Sequence, residues 1–172
     1  MVASVDSSPA HDLEGTLVAE FRTFQKLLVV AKEQRASLGE GDVEKLTPLL
    51  EDEEYLLDQL SMLEEHRKTL CLAMAAQIPL PEPTDSLEAL LPHLSAERRD
   101  RLENLRGGIQ ALTDEGCEIN QQVRYLTASR LQWVKASEDF LLSLLDPVNT
   151  YGPDGARASS TETPLSGMER RA

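Results

Sequence analysis

The sequence predicts an all-α protein: an elongated antiparallel helical bundle or coiled coil of three long helices, with a short connector helix and a disordered C-terminal tail. Three observations lead there. Apolar residues recur at every third or fourth position over long stretches and nowhere fall to the period of two that a strand needs. The nine prolines and nine glycines are clustered instead of being spread evenly, and the prolines mark the ends of these stretches. Aromatic residues make up only 4% of the chain, too few for the core of most β-sandwiches or the walls of most enzyme pockets. With 172 residues there is room for one helical domain, expected over 12–146, between a flexible lead-in at 1–11 and a flexible tail at 147–172.

The elements follow in order. Pro9 closes a Ser-rich lead-in. From Asp12 to Leu38 the chain is free of proline, and Leu17, Phe21, Phe24, Leu28, Ala31 and Leu38 form a helical stripe. Gly39-Glu40-Gly41-Asp42 reads as stop and restart, with Gly39 as the C-terminal cap and Asp42 as the next N-cap. The second segment runs from Asp42 to about Ala76. Leu46, Leu49, Glu53, Leu56, Leu60, Leu63, Arg67, Leu70 and Met74 alternate in steps of three and four, as in a coiled-coil seam. Pro48 near its start marks an alternative beginning. Pro79, Pro81 and Pro83 impose an extended connector, followed by a short helix from Asp85 to Leu91 that ends at Pro92.

Ser95 is the expected N-cap of the third segment, after which no proline occurs until Pro147. Leu102, Leu105, Ile109, Leu112, Gly116, Ile119, Val123, Leu126, Arg130, Trp133, Ser137, Phe140 and Leu144 keep the same alternation without a slip. Gly107, Gly108 and Gly116 weaken this helix by about 1 kcal/mol each relative to Ala and allow a local bend. Residues 151–172, rich in Ser, Thr, Gly and Pro, read as disordered.

Charge and reactive residues exclude several classes of function. A net charge of −13 repels phosphate, which argues against nucleic-acid binding and against an anionic lipid surface. The charge is uneven: residues 42–76 carry nine acids and three bases, whereas residues 95–145 carry eight and seven. Cys71 and Cys117 form no C-x-x-C pair and suit a reducing compartment. Ser8, Leu63 and Leu90 stand three residues before His11, His66 and His93, so the Glu-x-x-His pairs of a di-metal bundle are missing. No zinc spacing, Walker loop, G-x-S-x-G elbow or G-x-G-x-x-G turn occurs. The expectation is a non-enzyme without metal or cofactor. With no secretory signal and no apolar run near 18 residues, it is also expected to be cytoplasmic.

Length arithmetic points to the functional surface. At ~1.5 Å per residue the second helix spans about 52 Å and the third about 75 Å. If the two pair antiparallel, the second runs out near residue 130 of the third. The stretch beyond holds Leu131, Trp133, Val134, Phe140, Leu141, Leu142, Leu144 and Leu145, a wider apolar face than a two-helix seam requires. Either the first helix folds over it with Phe21, Phe24, Leu27 and Leu28, or it is open to a partner or a second copy.

The run from Glu33 to Leu46 (EQRASLGEGDVEKL) resembles the junction between the first two helices of FlgN-type flagellar export chaperones. Glu53 to Leu70 (EEYLLDQLSMLEEHRKTL) is similar to their second helix, and Asn120 within EINQQVRYL to their third. Tyr151-Gly152-Pro153-Asp154-Gly155 completes the likeness, which covers residues 12–155. The resemblance implies a cytoplasmic chaperone that binds hook-filament junction proteins before secretion and delivers them to the flagellar export gate. It implies client binding through the C-terminal amphipathic helix, here Leu131, Trp133, Val134, Phe140, Leu141, Leu144 and Leu145, and gate docking through Tyr151. The rival expectation is a coiled-coil adaptor that homodimerises through the same face.

Overall fold

Two prolines stand at the start of helices, where the missing N–H costs nothing. In the computed structural model, which describes residues 8–78 and 84–145, Pro9 lies in the first turn of α1, Ser8–Glu40. The helix therefore begins ahead of the expected Asp12, and Ala10 and Leu13 are already fully buried. Pro48 lies in the first turn of α2, Leu46–Ala75. Asp42 does not cap this helix. Its Oδ1 accepts the Lys45 N–H at 3.3 Å, closing the turn just before it. Nor is Gly39 the C-terminal cap of α1. Gly41 takes the positive φ of 80°, and the N–H groups of Gly41 and Asp42 both donate to the Ser37 carbonyl at 2.9 Å.

After the proline connector at 79–83, which lies outside the described residues, α3 spans Leu87–Leu90. It passes into a 3₁₀ turn, Leu91–His93. Pro92 thus sits inside a helical turn and does not end it, because a first-turn N–H needs no partner. The last helix, α4, spans Ala96–Leu145 and passes through Gly107, Gly108 and Gly116. The described residues hold helices and turns, with no strand. The expected disordered tail lies outside them.

The chain divides into two units, Met1–Ala128 and Ser129–Ala172. In the first, side-chain pairs fix direction and register. Gln34 donates to Glu53 at 2.7 Å, and Arg67 donates to Glu20 at 3.2 Å. Fourteen residues back along α1 equal fourteen forward along α2, so these helices are antiparallel in one uninterrupted register. Arg101 donates to Glu14 and Arg35 to Gln122, each across 87 residues. α4 therefore runs parallel to α1 within this unit.

The core gathers where α1 and α4 begin and α2 ends. Leu13, Leu17, Leu70, Cys71, Met74, Leu90 and Leu102 belong to one buried cluster. α3 acts as its plug: Leu87, Leu90, Leu91 and Leu94 all face inward, which makes the connector a structural element. Truncating Leu90, fully buried, to Ala would cost about 2–5 kcal/mol. In the second unit the described residues, 129–145, are all helical.

Candidate functional site

Six of the seven side chains expected to bind a client are exposed: Leu131, Trp133, Val134, Phe140, Leu141 and Leu144, by 52–67%. Leu145, the seventh, closes α4. Tyr151, expected to dock at an export gate, lies outside the described residues. At ~100° per residue, Trp133, Phe140 and Leu144 share one stripe and Val134 and Leu141 the next. Leu131 and Leu142 form a third, so the apolar arc covers about 200°. Leu142, also exposed, belongs to this face although it was not among the expected site residues. Its place follows from the same helical geometry that groups it with Leu131.

The hydroxyls on this helix do not interrupt the arc. Ser137 donates to the Trp133 carbonyl at 3.0 Å and Ser143 to the Phe140 carbonyl at 2.6 Å, so each is satisfied by its own helix. Arg130 and Lys135 are balanced by Glu138 and Asp139. With no net charge, this segment offers a partner mainly apolar surface.

Within the first unit, Phe21, Phe24, Leu27 and Leu28 of α1 face α4. Gly108 lets Phe21 in close: a Cβ there would stand 2.8 Å from the Phe21 ring. Phe24, Leu27 and Leu28 line a cleft with Leu112, Gly116 and Val123 of α4.

The same unit holds the polar positions of the seam. Arg67, singled out in the sequence, meets Glu20, whose side chain is 9% exposed. Burial raises the Glu20 pKa above its ordinary 4.5, and the Arg67 charge and hydrogen bond offset this in part. Glu53 meets Gln34, which is buried. Glu20 and Gln34 were missed as seam residues. The signal was present: they occupy the 3-4 repeat Leu13, Leu17, Glu20, Phe24, Leu27, Ala31, Gln34, Leu38. Burial also raises the Cys71 thiol pKa, while Cys117 is exposed. Among the described residues, no helix is long and apolar enough to cross a membrane, and no three His, Cys, Asp or Glu side chains gather as a metal site.

A family model described as "FlgN protein" matches residues 9–159. The chain belongs to the FlgN family. No curated protein and no solved structure matches it. The FlgN match takes in all three long helices and both units, and extends past Tyr151. It supports a flagellar export chaperone, the class to which the helix junction and the third helix bear a resemblance.

Proposed function

We propose that this FlgN-family protein is a cytoplasmic chaperone for hook-filament junction proteins. It holds their helical terminal segment on the face of Leu131, Trp133, Val134, Phe140, Leu141, Leu144 and Leu145. The observation that carries the reading is an apolar arc of about 200° on residues 131–144, each named side chain there more than half exposed. A client helix with apolar residues at i, i+3, i+4 and i+7 lies along such a face and buries it. Covering that segment prevents premature self-association of the client. A short apolar interface of this kind releases quickly enough for hand-over, because affinity within one interface type is set chiefly by the off-rate.

Delivery follows in the same reading: Tyr151, six residues beyond the end of α4, contacts the export gate while the face holds the client. The chemistry is binding and release, with no catalytic step and no nucleotide.

Light scattering on the purified protein, alone and with a junction protein, tests the proposal. The expected outcome is a monomer near 19.1 kDa that shifts to a 1:1 complex. A stable dimer that ignores the client would replace this reading with the coiled-coil adaptor.

A further inference from the structure

The face at the end of α4 has a charge set inside it. Leu131, Val134, Glu138, Leu141 and Leu145 alternate in steps of three and four, so they form one seam, with Glu138 as its polar member. At ~100° per residue Glu138 stands about 20° from Leu131 on one side and about 20° from Leu145 on the other, well within the apolar arc. The other charges of the segment are placed differently. Lys135 and Asp139 lie beyond the edge of the arc, and Arg130 precedes its first apolar residue.

The closed seam of the first unit shows how this fold treats such a position. Glu20, a polar member of the α1 repeat, accepts a hydrogen bond from Arg67 of α2 at 3.2 Å. Glu53, a polar member of the α2 repeat, accepts one from Gln34 of α1 at 2.7 Å. Each carboxylate is met by a donor from the facing helix. Glu138 has no facing helix, and among the described residues it makes no ion pair, with Lys135 or otherwise. The hydroxyls of Ser137 and Ser143 are already engaged by the carbonyls of Trp133 and Phe140. A helix that covers both Leu131 and Leu145 also strips water from Glu138, and a carboxylate desolvated without a donor is strongly unfavourable.

We propose that Glu138 selects the client: a helix docked on this face places an Arg or Lys opposite Glu138, and that pair fixes its register. The inference rests on the client-binding reading of the face and adds the chemistry of the occupant, an amphipathic helix whose apolar stripe is broken by one cation. Helices with an unbroken apolar stripe, or with an acid at that place, are rejected because they leave the carboxylate covered and unmatched.

Calorimetric titration of a hook-filament junction protein into the full-length protein is the test. Glu138→Lys is expected to weaken binding by about thirtyfold or more, with helix content unchanged because Glu138 is exposed. Asp139→Lys makes the same change in net charge outside the arc and is expected to alter affinity by less than about threefold. The Arg and Lys residues of the client's terminal helix are then replaced by Glu one at a time. One of these substitutions is expected both to weaken binding to the wild type and to restore binding to Glu138→Lys.

Equal losses from Glu138→Lys and Asp139→Lys would reduce the effect to net charge and overturn the proposal. So would wild-type affinity in Glu138→Lys, or a client series in which no substitution restores binding. Those results leave client binding by the face standing. A client that ignores the wild type, or that binds Phe140→Asp with Leu144→Asp as tightly as the wild type, removes the client-binding reading and this inference with it.

Discussion

Glu20 is where single-residue chemistry bears most on the fold. Its carboxyl lies in the α1–α2 seam opposite Arg67, and burial lifts its pKa above 4.5 despite that partner. A carboxyl raised in the folded state contributes stability below its unfolded pKa and loses it as pH rises through the folded value. Glu20→Gln has no such titration. The stability of the wild type relative to this variant is therefore expected to increase between about pH 7 and about pH 5, read from urea midpoints at the two values. The opposite trend would show that the Arg67 pair outweighs desolvation. Arg67 was legible as a charged seam position because the leucine repeat around it is strict. Its partner was not, since α1 was read through its apolar residues alone, and a stripe of apolar residues does not display the polar gaps in its own repeat.

At the scale of elements, the helices were legible and their ends less so. Every long helix follows from 3-4 periodicity, which tertiary packing reinforces. The ends depend on local hydrogen bonds that composition does not reveal: Gly41 rather than Gly39 takes the left-handed turn, and Asp42 closes a loop instead of capping α2. The glycine pair in α4 splits into two roles. At Gly107 an added methyl group would meet open space, whereas at Gly108 it would stand 2.8 Å from the Phe21 ring. Gly107→Ala is expected to stabilise by about 1 kcal/mol through helix propensity. Gly108→Ala should fall short of that by about 1 kcal/mol or more, because Phe21 must move. Equal gains in melting temperature would mean that α1 and α4 do not rely on this contact.

For the whole molecule, the division of labour is visible in where burial lies. The buried cluster joins the start of α1, the end of α2, α3 and the start of α4, while the exposed apolar side chains of residues 131–144 belong to the second unit. Phe140→Asp with Leu144→Asp is therefore expected to abolish client binding, leaving helix content and the urea midpoint nearly unchanged. Loss of the fold would mean instead that this face is core. The face was legible because helix lengths could be compared and its leucines counted. The cleft of the first unit was not, because a strict repeat reads as a filled seam and cannot show how far apart three helices stand.

The α1–α2 and α1–α4 pairs obey one register from Glu14 to Gln122. A single residue inserted into α2 between Glu53 and Arg67 would turn Arg67 by about 100° away from Glu20 while leaving Gln34 and Glu53 engaged. Compensation would require matched insertions in all three helices, in steps that keep the repeat. Lineages of this protein should accordingly vary in length by whole heptads across the bundle, or else only in the Gly41 turn, the proline connector and the two termini. An evolutionary history of this chain would then be written in its loops.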